Sequence, residues 1–384
     1  MHLLFDMDKK DYDPSLAGDE SKVFRRDSAR AVIFRDGKLA VIYSQKKHFY
    51  KIPGGGIEAD ENPVDAMIRE VKEESGLTVI RESVKEMGYV HRIQKGKHEP
   101  LFIQDNYYYY CDADEGQSAP CYSNAELTHD FTPDFVPLQK AIEVNTEYNR
   151  LHPEDDMIAR ELRVMKIIKS QLQIFEKSYQ SSFFKILYDE CDEELVKKVT
   201  KNLEENLSRL LAFFNLEKLK SIITVQIFSE LEGWRNFLEQ FHPYYDYIIG
   251  EAGEGVISVL SFSQYAKTQN HKNDTLEVFE KVIVHEFAHV CHREIIPDFE
   301  RNYNNVIGEG LATFLAGQPY NTEVEIPPKE IFFDWQKLFS GTYDVYSIGQ
   351  KVVRQLAEKL PHQKVLEYSA NAAKFYEDWE KLFG

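Results

Sequence analysis

Two stretches of this chain carry side chains of the right type and spacing for metal-dependent chemistry. In the first, Arg69, Glu70, Glu73 and Glu74 fall in a segment, Pro63 to Ser75, that reads as one helix: Asn62 can cap its start, Pro63 suits its first position, and Gly76 can end it in the left-handed conformation. At about 100° per residue the three glutamates share one arc, bordered by Arg69. Three like charges on one face repel, and an oxygen-ligated cation, Mg²⁺ or Mn²⁺, would neutralise them; a solvated acidic face is the plainer alternative. The preceding Gly54-Gly55-Gly56 lets backbone approach a ligand without a Cβ in the way and leads toward a helix N-terminus that favours anions.

The second stretch, Val282 to Val290, is an apolar helix with His285 and His289 four apart, hence one turn apart on one face, and Glu286 beside the first. Two imidazoles at that spacing can chelate Zn²⁺, and Glu286 can take a proton from water activated there. Two core histidines are the plainer reading, but such a helix would then have to satisfy several costly polar groups. A tetrahedral site needs a third protein ligand. The next acid of interest is Glu309, in Ile307-Gly-Glu-Gly-Leu-Ala-Thr-Phe-Leu315, where it opens a second apolar helix. His292 reads as a surface or supporting residue rather than a fourth ligand.

The elements around these residues fall into two textures. From Ser28, short β-branched or aromatic runs alternate with turn formers: Ala31 to Phe34, Asp36-Gly37, then Leu39 to Tyr43 predict a strand, a tight turn and a strand. Met87 to Ile93 and Phe102 to Cys111 are further strands, so with the helix at 63–75 the domain is mixed α/β. In Tyr107 to Tyr110, strand alternation puts two rings on each face, which favours core packing over stacking on a nucleobase. Residues 1–24 are expected to form a partly ordered arm, and 155–177 a closing helix. The boundary falls at 178–182, where helical periodicity is lost. Beyond it, helical segments (192–214, 231–241, 274–293, 309–316, 345–360) surround β-branched runs at 222–228 and 256–262, which predicts an α+β domain at 183–384.

The first stretch resembles the Nudix box: Gly55, Glu61, Arg69-Glu70-Val71, Glu73-Glu74 and Gly76-Leu77 stand in its register. The resemblance implies a Nudix α/β/α sandwich over 1–177 that cleaves the diphosphate of a nucleoside diphosphate linked to another moiety, by default a nucleoside triphosphate or a modified relative. It also implies that Glu70, Glu73 and Glu74 hold the divalent metal, that Arg69 orients them, and that Glu61 and Gly54 to Gly56 edge the site. The choice of catalytic base stays open, and Glu126 is a candidate further ligand. The second stretch resembles gluzincins, the peptidase MA-like metallopeptidases, and implies an α+β, mostly helical zincin-like domain with His285, His289 and Glu309 on zinc. Glu286 would be the base; Tyr346, or alternatively Tyr343, would steady the tetrahedral intermediate, with Thr313 in support. The metzincin pattern would need glycine at 292 and histidine at 295, where the chain has His292 and Ile295.

Composition narrows the partners. The 384 residues carry a formal charge of −18, which opposes binding to a nucleic acid polymer or an anionic membrane surface. Apolar runs are too short to cross a bilayer, and Asp6 and Asp8 interrupt any signal-like start, so a cytoplasmic protein is expected. Cys111, Cys121, Cys191 and Cys291 form neither a CxxC pair nor a secreted framework. The expected partners are a nucleotide and a peptide or protein; oligomeric state is not readable. The competing reading is a regulator whose Nudix domain senses a nucleotide without turnover and controls the second domain. A third makes the second domain a structural relic.

Overall fold

The computed structural model describes residues 1–15, 22–96, 98–120, 130–338 and 341–383. The chain divides into two compact units, Met1–Leu172 and Gln173–Gly384.

In the first unit, a mixed sheet has the order Leu3–Asp8, Lys85–Gln94, Leu101–Tyr110, Ser28–Val32, Gly54–Gly56, with Val23–Arg25 also paired to Leu101–Tyr110. A second sheet joins Phe131–Val136, Lys38–Ser44 and Phe34–Arg35, with Phe49–Lys51 on Lys38–Ser44. Asp36 and Gly37 have φ of 51° and 72°, the paired positive values of a tight hairpin turn. The helix Pro63–Ser75 has the expected limits: Asn62 accepts from the Val64 amide, and Gly76 turns left-handed at φ 73°. Its apolar side, Ala66, Met67 and Val71, packs with Ala29 and Ala31 of the mixed sheet. The unit also contains a two-stranded sheet of Leu77–Val79 and Ala113–Gln117 and the helices Leu138–Leu151 and Asp156–Gln171.

Three expectations are corrected. The arm at 1–24 includes a strand, Leu3–Asp8, parallel to Lys85–Gln94. Phe5 is buried with Arg163 over its ring, and Phe5 and Met7 alternating with Asp6 and Asp8 are the period-two signal for it. The closing helix ends at Gln171 rather than 177, because Gln173 turns to positive φ and Lys177–Gln180 pairs as a strand with Phe184–Tyr188. The segment at 178–182 therefore lost helical periodicity because strand and turn replace helix, and the division between units falls earlier, after Leu172.

The second unit has a five-stranded sheet in the order Lys177–Gln180, Phe184–Tyr188, Ile223–Phe228, Val256–Leu260, Gly250–Gly253; the outer pairings are antiparallel and the inner ones parallel. Helices Glu193–Phe213, Leu231–Leu238, Leu276–Ile295, Asn305–Leu315, Val345–Lys359, His362–Ser369 and Ala372–Phe383 make up most of the rest. Helices Asn305–Leu315 and Val345–Lys359 meet backbone to backbone at two glycines. A Cβ on Gly349 would stand 2.2 Å from the Val306 carbonyl oxygen and 2.8 Å from the Gly310 nitrogen. This crossing sits beside Glu309. Gly349→Ala should therefore destabilise the unit by about 1–3 kcal/mol through overpacking, read from urea unfolding. Among the described residues, no helix is long and apolar enough to cross a membrane.

Candidate functional site

In the first unit the acidic side chains gather around two cations. Glu74 is buried, with Lys51 Nζ 2.5 Å from Oε1 and the Gly54 amide donating to Oε2 at 3.0 Å. Burial raises its carboxyl pKa, with Lys51 pulling the other way. Lys51 is placed by its strand, where Asn145 both accepts from the Tyr50 amide and donates to the Tyr50 carbonyl, each at 2.8 Å. Arg69 forks onto Glu61 at 3.0 and 2.9 Å, and its Nη1 lies 2.8 Å from Glu70 and 3.4 Å from Glu73. Hydrogen bonding to Glu61 first, then to Glu70, holds the guanidinium above its usual range, and Arg69 holds Glu61 below the usual carboxylate range.

The three glutamates do not converge as expected. Glu74 turns inward to Lys51 and Gly54; Glu70 and Glu73 share Arg69, because each carboxylate takes its nearest donor. Gly54–Gly56 is a sheet strand paired with Ser28–Val32 rather than an open cradle. The Gly54 amide is committed to Glu74 and its carbonyl to Arg30 at 3.1 Å, and a Cβ there would fall 2.2 Å from the Ala29 carbonyl oxygen. The missing Cβ serves strand contact at Gly54. At Gly55 it makes room for Glu70, whose Oε2 would lie 2.2 Å from a Cβ. Glu70 and Glu73 still present carboxylate oxygens side by side at Arg69, donors of the hard, all-oxygen type that suits a divalent cation. Glu126 lies outside the described residues.

Lys51, which sequence reasoning missed, gives a stability prediction. Lys51→Met should cost about 3–5 kcal/mol in chemical unfolding, because Glu74 would be left buried without its cation. Of the tyrosine run, Tyr108 is buried against Glu161 at 3.2 Å and Tyr110 donates to Gln171 at 2.8 Å. Tyr107 stands opposite Tyr89 with ring centroids 5.9 Å apart.

In the second unit the expected ligands come together. His285 and His289 on Leu276–Ile295 meet Glu309 on Asn305–Leu315, and this is the one set of three metal-ligating residue types that converges among the described residues. Both Nε2 atoms face one Glu309 oxygen, at 3.1 Å from His285 and 3.5 Å from His289, and lie 3.1 Å from each other. Tetrahedral zinc with bonds of about 2.0–2.1 Å sets its ligand atoms roughly 3.3 Å apart, the size of this triangle. Behind it, His285 Nδ1 lies 2.8 Å from Gln318 Oε1 and His289 Nδ1 lies 3.3 Å from the Tyr303 hydroxyl. An Nδ1–H donated to each of these oxygens would leave both Nε2 lone pairs facing the carboxylate oxygen, a donor set that fits a cation. Burial raises the Glu309 carboxyl pKa, but the two histidines outweigh it and hold the group well below the usual range.

Glu286 is buried beside the triangle, and burial pushes its carboxyl up to about 7. The edge strand passes close over it, so a Cβ on Gly250 would lie 2.5 Å from Oε1. Tyr346 lines the same cavity, its ring centroid 6.1 Å from that of His285. Tyr343 instead packs against the unit's core. His292 is a core residue, correcting the surface reading: it is 1% exposed, stacks on Phe214 and contacts the Ser369 carbonyl at 3.1 Å. Burial drives its pKa down to about 3. Thr313 is buried, and its hydroxyl has no hydrogen-bond partner among the described residues. Gln318 and Tyr303 were missed because nothing local in the sequence ties them to the histidines.

Residues 24–158 match the family model described as the NUDIX domain, which makes this part of the chain a Nudix domain. A MutT NUDIX hydrolase from Burkholderia pseudomallei is 23% identical, over 30% of this chain and 85% of that one, with a TM-score of 0.24. MutT from a structural study of Aliivibrio salmonicida and Vibrio cholerae is 17% identical over 36% and 98%, TM-score 0.25. A NUDIX hydrolase from Nitrosomonas europaea is 15% identical over 32% and 79%, TM-score 0.25. No curated protein matches the chain.

Proposed function

We propose that the first unit hydrolyses the diphosphate of a nucleoside diphosphate linked to another group, with a nucleoside triphosphate or modified relative as substrate and Mg²⁺ or Mn²⁺ as cofactor. The observation that carries this reading is the match of residues 24–158 to the Nudix domain, within which Glu70 and Glu73 come together at Arg69. Glu70 and Glu73 would hold the ion, with Glu74 joining them only by releasing Lys51 and the Gly54 amide. When bound, it supplies charge neutralisation at the diphosphate and lowers the pKa of attacking water. Arg69, anchored by Glu61, fixes the approach of Glu70 and Glu73, and Lys51 fixes Glu74. Phosphate release from a nucleotide panel, comparing wild type with Glu73→Gln, tests the reading. Turnover by the wild type that falls in the variant supports it; binding without turnover would leave a nucleotide sensor.

A second reading concerns the second unit, where the metal-sized triangle of His285, His289 and Glu309 supports a zinc-dependent peptidase. Zinc, when bound, supplies a Lewis acid that polarises a carbonyl. Glu286 takes a proton from the attacking water and passes it to the departing nitrogen. Tyr346 stands at the cavity edge, where its hydroxyl can donate to the oxygen of the tetrahedral intermediate. Mass-spectrometric digestion of a peptide mixture by the zinc-supplemented chain tests this; no cleavage would refute it.

A further inference from the structure

The cavity beside His285, His289 and Glu309 is lined by a cation, Arg293, that no acidic side chain pairs with among the described residues. It encloses about 530 Å³, a volume suited to a small ligand or the end of a peptide. Along the helix Leu276–Ile295, His285, His289 and Arg293 recur every four residues, so the guanidinium follows the two imidazoles by one turn on the same face. Its carbon lies 3.7 Å over the centre of the Phe299 ring, which sets the plane of the fork. No described acidic side chain pairs with it. Glu251, which also lines the cavity, lies 3.5 Å from His242 Nε2, and Glu286 and Glu309 belong to the hydrolytic machinery.

We propose that Arg293 receives the C-terminal α-carboxylate of a peptide, so that this site removes the last residue of a chain. This rests on the peptidase reading above. A guanidinium offers a carboxylate two parallel hydrogen bonds, which an amide or an internal peptide group cannot match. Adjacent Cα atoms lie about 3.8 Å apart and one helical turn advances about 5.4 Å, so a long arginine side chain can span from the ligand turn to a carboxylate one residue past the scissile carbonyl. Tyr245 and Tyr247, stacked at 5.5 Å, and Tyr346 offer rings to the side chain of the residue removed. The step is simple hydrolysis: the hydroxyl of water joins the acyl carbon, the C–N bond breaks, and the proton goes to the amine of the released amino acid.

The test uses the full chain with zinc and an N-acetylated tetrapeptide ending in phenylalanine, supplied as the free acid and as the amide. The acid should be cut about a hundredfold faster, releasing phenylalanine; Arg293→Met should abolish that preference and Arg293→Lys restore part of it. A readout independent of turnover is calorimetric binding of N-acetyl-L-phenylalanine against its amide, with and without zinc. Preference for the acid should persist without zinc and vanish in Arg293→Met. Equal cleavage of acid and amide overturns the carboxylate receptor and leaves the peptidase reading intact. A preference that survives Arg293→Met but is lost when zinc is removed assigns the carboxylate to the metal, which also overturns it. Cleavage of neither substrate sinks the receptor together with the reading it rests on.

Discussion

On the proposed peptidase reading, Glu286→Gln should lower peptide cleavage by about a thousandfold without lowering zinc binding, the loss expected when a general base is removed without disturbing its surroundings. The carboxylate lies buried against the Gly250 backbone and beside the two histidines, so glutamine fills the same space. His285, His289 and Glu309 keep their supports in Gln318 and Tyr303 and in the glycine crossing next to Glu309. Cleavage and bound metal must therefore be measured on one preparation. Wild-type cleavage by the variant would remove Glu286 as the proton carrier, and joint loss of zinc and cleavage would make its role structural.

Glu70→Gln should reduce nucleotide hydrolysis by about two to three orders of magnitude with little change in folding stability, because one ionised oxygen pair is lost from a site built on charge. Glutamine still offers Arg69 an acceptor where Glu70 stands at 2.8 Å, and the Arg69 fork on Glu61 is untouched. The effect should be a fall in kcat that raised Mg²⁺ only partly recovers. Unaltered turnover would place the catalytic ion elsewhere in the domain. The contrast with Lys51→Met is diagnostic: that change should act on stability, through a buried ion pair, whereas Glu70 is partly exposed and, as a proposed metal ligand, should act on turnover.

What could be read from the sequence was what local physics decides. The helix at 63–75 announced both ends through Asn62, Pro63 and Gly76, and the Asp36-Gly37 turn was equally plain. The four-residue spacing of His285 and His289 placed them on one face, and Glu309 was legible as an acid on a later apolar helix, although that helix begins at Asn305, a turn before the expected start. What escaped was set by contacts between distant segments. The three Nudix glutamates share a helix face, yet Lys51, from a strand more than twenty residues earlier, draws Glu74 away from the others. The glycines at 54–56 looked like an open cradle because sequence shows a missing Cβ but not the Ala29 and Arg30 backbone that uses the space. His292 looked like a surface residue because Phe214 and Ser369, which bury it, come from helices far along the chain.

The most direct test of the central claim is the zinc content of the purified chain, wild type beside His289→Ala, by elemental analysis after dialysis against zinc-free buffer. A triangle of this size and donor type predicts one zinc per chain, lost in the variant. Wild-type protein that retains no zinc, or a variant that retains as much as the wild type, would contradict it.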